Sequence, residues 1–397
     1  MVKRFRIGLL MHSPQWMGGI IYIQNLVKAL NFLPPEERQT IEIYLLVGSD
    51  IKQEFYQDLL PIVDKVCIEN CLNANLYNRL CRKIGRFFPL VRNIIGRGLI
   101  QVANRESLNF IYPLNIFGIS WKFSCDYAVW IPDFQYKYFP ELFKNTSNLN
   151  QIFADVAQKK LKLVLSSQIA EKDFKKFFPD SKPKTFVLNF RTIIPEECFD
   201  RKPEFVIKKY GLPDKFFLVS NQFWVHKNHR LVFESLAILK NKYNILPNIV
   251  CTGSLYDSRS PSYTKKILKY IQESGLQNQI KILGLIPRND QIQLMRQCLA
   301  VIQPSLFEGW STVVEDARSL GKTLILSEIP VHLEQNPPQT IFFDPNSAED
   351  LADKITMLLP KLSPGSNCQL EITKEMNSIN YQIFAKNFIK IATHNII

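Results

Sequence analysis

The feature that most limits how this chain can fold is a regular alternation of short β-rich runs with longer amphipathic stretches. Candidate strands lie at 6–11, 41–47, 127–130, 161–166 and 185–188, and a second set at 216–220, 248–252, 280–283, 300–304, 323–327 and 340–343. Between them, stretches such as 228–243 and 263–274 carry apolar residues at helical spacing. Strands joined through helices of this length form βαβ units and parallel sheets. Two such sets predict two doubly wound domains. Pro195, Pro203 and a run of charges interrupt the pattern over 194–205, which marks the break. The expected division is an N-terminal domain over 1–195, a C-terminal domain over 205–375, and a terminal helical segment over 376–397 that packs back toward the N-terminal domain.

A length of 397 residues suits two domains. Hydrophobic residues make up 46% and charged residues 21%, enough apolar material for two cores, which excludes general disorder. The net charge of +13 points to anionic partners: nucleic acid, an acidic membrane face or phosphorylated substrates. The eight cysteines are scattered, and several sit in apolar runs, as Cys251 does, so free buried thiols in a reducing compartment are expected. Cys67 and Cys71 have no second Cys/His pair nearby, which argues against zinc. The N-terminal run resembles a signal peptide only superficially, because its apolar part is short and lacks a small-residue cleavage site. A buried first strand is the better reading. No run of about 18 apolar residues exists, so no membrane-spanning helix is expected.

Doubly wound sheets bind ligands beyond the carboxyl ends of their strands. Three strand-to-helix junctions carry suitable chemistry. After the first strand, Gly18 and Gly19 would let backbone approach a ligand, and the helix expected near Ile20 would offer N–H groups to a phosphate. No Gly-x-Gly-x-x-Gly or Walker pattern occurs, so ordinary NAD or ATP binding is not supported. After 216–220, a polar loop holds Gln222 and Lys227, whose compact ammonium suits a phosphate. After 300–304 comes Pro304-Ser305-Leu306-Phe307-Glu308-Gly309-Trp310-Ser311-Thr312-Val313-Val314-Glu315-Asp316. Thr312 and Glu315 have capping-box spacing, which would start a helix at Thr312, occupy Glu315 in the cap and leave Asp316 for a ligand. The N–H groups around Ser311 and Thr312 would then face an anion.

Here the chain resembles the retaining, GT-B-fold glycosyltransferases of glycosyltransferase family 4. Glu308 and Asp316 match the family's two acids, eight positions apart. Gly321–Ser327, Phe343-Asp344-Pro345, Gly18-Gly19 and Lys227 match further elements. The match covers nearly the whole chain and is specific over about 216–345. It departs in three places: Gln222 or Asn221 stands where an arginine is usual, Asp316 replaces Glu, and Asp133 or its neighbours replace an N-domain histidine. The resemblance implies two Rossmann-like domains facing a cleft and a sugar nucleotide as donor substrate. It also implies a saccharide or lipid-linked acceptor held by the N-terminal domain, and retention of anomeric configuration. Glu308 and Lys227 would be catalytic. Gly18, Gly19, Gln222, Lys227, Ser311, Thr312 and Asp316 would bind the donor, and Asp133 and Gln135 would contact acceptor or sugar. No Asp-x-Asp motif is present, so no metal and no cofactor are expected.

Residues 79–105 carry seven basic side chains and no acid, with Phe87, Phe88, Ile94 and Ile95 among them. This basic insertion suits an anionic membrane surface and implies a cytoplasmic protein, peripheral on the inner face of the membrane. The competing reading is a solvated helix with an ordinary core side. No nucleic-acid motif accompanies the charge, so nucleic acid is not expected. Two functional alternatives stand beside transfer: a catalytically inactive nucleotide-sugar-binding protein, and a GT-B-fold epimerase or phosphorylase.

Overall fold

A computed structural model describes residues 4–11, 16–73, 98–114, 122–143, 145–200, 202–365 and 370–394. Of the basic insertion 79–105, residues 79–97 lie outside them. Two compact units emerge. The first comprises Met1–Phe134, Asn145–Arg191 and Ser378–Ile397. The second comprises Gln135–Lys144 and Thr192–Asn377.

The first unit is built on a seven-stranded sheet of β1 (Phe5–Leu10), β2 (Ile41–Gly48), β3 (Lys65–Glu69), β4 (Phe110–Leu114), β5 (Asp126–Ile131), β6 (Lys162–Leu165) and β7 (Lys184–Val187). Its order is β3-β2-β1-β4-β5-β6-β7. The second unit has β8 (Phe216–Ser220), β9 (Asn248–Thr252), β10 (Ile280–Ile282), β11 (Val301–Gln303), β12 (Leu324–Ser327) and β13 (Thr340–Phe343), in the order β10-β9-β8-β11-β12-β13. Every strand pair is parallel. These are two doubly wound, Rossmann-like sheets, as the strand–helix alternation predicts.

Why both faces must be covered is visible in β8. Phe217 and Val219 join one apolar cluster, while Phe216 and Leu218 join another across the sheet. Successive side chains of a strand point to opposite faces, so a strand buried on both reads as a continuous apolar run. β9 repeats the pattern, with Ile249 and Cys251 on one side and Val250 on the other.

Sequence reading passed over β3 and β4. β3 is an edge strand whose sequence, KVCIE, mixes charge with apolar residues. β4 is central but contains Pro113, which has no N–H to give a ladder. The sheet absorbs it where the β4–β5 register shifts, between Ile111 and Leu114.

The first unit is completed by the part of the helix Leu370–Thr393 from Ser378 onward. Its Phe384, Ala385, Phe388 and Ile391 are buried, and the Phe388 ring lies 5.2 Å from that of Tyr112. Lys162 on β6 is wholly buried and donates to the carbonyls of Ile391 (2.8 Å) and Ala392 (3.1 Å) while pairing with Asp126 at 2.6 Å. A cation set on the last carbonyls of a helix satisfies orphan acceptors and opposes the helix dipole. Among the described residues no helix is long and apolar enough to cross a membrane.

Candidate donor site

In the second unit the strand order reverses between β8 and β11, which are neighbours. Their carboxyl ends form the crevice where doubly wound sheets take ligands. β8 ends at Ser220. The chain then runs through Asn221–Trp224, a single tight turn Val225–Lys227 and Asn228 in the left-handed region (φ 54°) before the helix His229–Tyr243. Phe223 stacks on His229 at 4.0 Å, and the carbonyl of His226 accepts from the Leu306 N–H at 2.8 Å. The stack closes the loop after β8 on its own helix, and the hydrogen bond ties that loop to the loop after β11. Gly253, at the end of β9, allows this: a Cβ there would lie 2.2 Å from the Asn221 carbonyl oxygen.

Lys227 Nζ meets Glu308 Oε1 at 2.5 Å, with side chains only 14% and 9% exposed. The same Oε1 accepts from Ser305 Oγ at 2.7 Å and Gln303 Nε2 at 2.9 Å. Gln303, fully buried at the end of β11, also bonds Asn221 and Ser311 and so holds both loops. Burial by itself would raise the Glu308 carboxyl. The Lys227 charge and the hydrogen bonds outweigh it and bring it down to about 2. Glu308 is therefore an anion at neutral pH. His226 and His229 go the other way: burial, aided by the Lys227 charge, lowers each to about 3, so both are neutral. A neutral His226 supplies no positive charge in place of the missing arginine.

The third junction departs from expectation. The helix Thr312–Ser319 starts where the sequence places it, but its N-cap is Ser311, with no side-chain cap bond, and the Thr312–Glu315 capping box does not form. Glu315 is buried and bonds Gln335 at 3.0 Å. Gln335 also takes the Ser311 N–H (3.1 Å) and donates to its carbonyl (3.1 Å), so the Ser311 N–H does not face an anion. Asp316 is not left open either. It is fully buried, and Arg288 grips both its oxygens at 2.6 and 2.5 Å. A short acid pointing inward finds a fork that matches its geometry. Thr312 remains half-exposed.

Other expected residues take these places. Gln222 is half-buried, its carbonyl accepting from Trp224 N at 2.7 Å. Gln135 belongs to the second unit, although Asp133, two residues earlier, belongs to the first. In the first unit Gly18 and Gly19 are not a loop before a helix. They sit in the first turn of the helix Met17–Leu30, and Gly19 N–H donates to the Trp16 carbonyl at 3.1 Å. Gly18 is packed so that a Cβ would touch the Trp16 indole nitrogen at 3.3 Å.

Sequence reading missed Gln303, Arg288 and Gln335. Gln303 had a signal, a polar residue inside an apolar strand. Arg288 follows a proline at a helix start. Gln335 had none.

Residues 201–362 match the family model described as glycosyl transferases group 1. The resemblance drawn from Glu308, Asp316 and Gly321 lies inside that match. A Campylobacter jejuni N,N'-diacetylbacillosaminyl-diphospho-undecaprenol alpha-1,3-N-acetylgalactosaminyltransferase is 22% identical over 212 residues, covering 52% of each chain. The Salmonella typhimurium O-antigen chain mannosyltransferase RfbU is 23% identical over 42% of this chain and 44% of its own. The chain thus spans about half the length of the curated relatives it matches. Among solved structures, a glycosyltransferase from Rickettsia africae superposes with TM-score 0.65 at 15% identity, covering 98% of both chains. Anabaena Alr3699/HepE, solved with UDP and glucose, gives 0.64 at 16% identity, covering 98% of this chain and 97% of that one. The fold is GT-B.

Proposed function

We propose that this chain is a glycosyltransferase that moves a sugar from a nucleotide-diphosphate sugar to a saccharide or lipid-linked acceptor, with retention at the anomeric carbon. The observation that carries the reading is the Lys227–Glu308 pair at the β8/β11 reversal, inside the stretch that matches the family. The second unit binds the donor and the first the acceptor.

The chemistry follows from charge. When the glycosidic bond breaks, negative charge develops on the leaving diphosphate. A fixed cation and helix N–H groups aimed there lower the barrier, each such donor being worth about 2.7–4 kcal/mol. Lys227 is that cation, with Gln222 and the helix start at Thr312 as further donors. These protein groups neutralise the leaving group without a metal or cofactor. Glu308 accepts all its bonds on Oε1, so Oε2 serves a sugar hydroxyl and orients the anomeric carbon. Asp316, held by Arg288, reaches ribose only if that pair opens, and so it contributes to nucleotide affinity rather than to rate. Asp133 and Gln135 contact acceptor or sugar. The undecaprenol-linked substrate in the name of the Campylobacter relative supports a lipid-linked acceptor, as does the basic insertion, and both suit a cytoplasmic enzyme at the inner membrane face.

Release of free nucleoside diphosphate from a panel of sugar nucleotides tests the reading. Wild type should turn over at least one donor, and Glu308→Gln should abolish release while keeping some nucleotide binding. Binding without release in wild type would favour the inactive-binder alternative.

A further inference from the structure

With Gln222 where the family's arginine is usual, the site lacks a second cation in that loop, yet a nucleoside diphosphate carries more charge than one lysine can offset. We propose that Arg259, from the loop after β9, is the second diphosphate-binding cation of this site. The inference rests on the donor-site reading above.

β9 lies beside β8 in the sheet, so the loops at their carboxyl ends are neighbours. The Arg259 guanidinium sits 4.5 Å from the ring centre of Trp224, and the rings of Trp224 and His226 are 5.6 Å apart. His226 immediately precedes Lys227. Arg259 thus lies on the same ring pair as the residue next to Lys227, and His226 feels both charges.

Among the described residues the guanidinium's short hydrogen bonds lie on one edge, and the Phe143 ring stands 5.8 Å away. Asp257, 3% exposed, takes Nε at 3.0 Å and Nη2 at 3.3 Å, and also accepts the Arg259 backbone N–H at 2.9 Å. Nη1 has only a long contact, 3.5 Å, to Gln135 Oε1. An arginine has five N–H donors in a fixed fork. Asp257 uses two side-chain donors, so the outer edge, on a side chain 21% exposed, keeps donors for phosphate oxygens. The indole beneath fixes the plane of the fork, as a cation over an aromatic face does. An arginine needed only to neutralise Asp257 would not require that second support.

Titration calorimetry with UDP, GDP, ADP and dTDP, and with the corresponding nucleosides, tests the assignment. Arg259→Ala should weaken the diphosphate that wild type binds by at least tenfold and leave nucleoside affinity unchanged. Arg259→Lys should fall between. Asp257→Asn breaks the ion pair but keeps the cation, and should bind the diphosphate at least as tightly as wild type. The assignment fails if Arg259→Ala binds the diphosphate normally. It also fails if Arg259→Ala loses nucleoside affinity in equal measure, the mark of a merely structural role. Wild type binding none of the four diphosphates would instead sink the donor-site reading itself, and this inference with it.

Discussion

Lys227→Ala removes the cation that keeps Glu308 charged in a nearly dry place. The ordinary carboxyl value of 4.5 falls to about 2 in the folded protein. At about 1.4 kcal/mol per unit, that preference for the anion contributes about 3 kcal/mol of stability. A carboxyl lowered on folding contributes fully above its unfolded value, near 4.5, and loses the contribution as pH falls through about 2, so neutral pH is where the whole effect is read. Without Lys227, burial opposes the anion with His332, Ser305 and Gln303 left to help it. Independent experience with buried pairs gives about 3–5 kcal/mol for removing one partner. We expect Lys227→Ala to lose about 3 kcal/mol in urea unfolding at pH 7. Glu308→Gln should cost less, since the 14%-exposed ammonium can turn to water. The double variant should be no worse than Lys227→Ala alone, giving a coupling of about 2 kcal/mol or more. Additive losses, or a Lys227→Ala cost below about 1 kcal/mol, would refute the pairing.

Arg288→Ala should strand the fully buried Asp316 and cost about 3–5 kcal/mol by the same measurement, while Asp316→Ala should cost less because the 36%-exposed Arg288 can turn to water, and the double variant should lose less than the sum. His226 and His229, held near 3, bind fewer protons folded than unfolded below about 6.5. Each contribution is complete above 6.5 and is lost at about 1.4 kcal/mol per pH unit on acidification toward 3, so the Tm should fall steeply from pH 7 to 5, whereas a flat profile would contradict their burial as neutral rings. Vesicle co-sedimentation should show binding to anionic but not neutral lipid, screened by salt; equal or absent binding to both would leave residues 79–105 without a membrane role.

The six strands of the second unit were all legible, because each is a short, mainly apolar run between polar junctions, although Lys281 interrupts β10 and Gln303 ends β11. In the first unit the β4 signal was cancelled by Pro113, whose tolerance depends on a register shift that only the paired strands reveal. At the site, Lys227 and Glu308 were legible because both follow strands that meet at one reversal. The fate of Asp316 was not: spacing places an acid in the first turns of a helix, but cannot say that Arg288, 28 residues earlier, reaches it. The capping box failed for a similar reason, since Gln335, far along the chain, supplies what Glu315 and Ser311 need.

The last part of the helix Leu370–Thr393 imposes an order on biosynthesis. Its residues from Ser378 onward belong to the first unit, yet they leave the ribosome only after the whole of Thr192–Asn377. At about 5–20 residues per second, the first sheet waits on the order of ten to forty seconds with Tyr112 uncovered and the ammonium of Lys162 lacking its two carbonyl acceptors. The second unit, which draws only Gln135–Lys144 from upstream, can close first. This protein thus matures against the direction of its synthesis, and its first half is the part that a nascent-chain chaperone would meet.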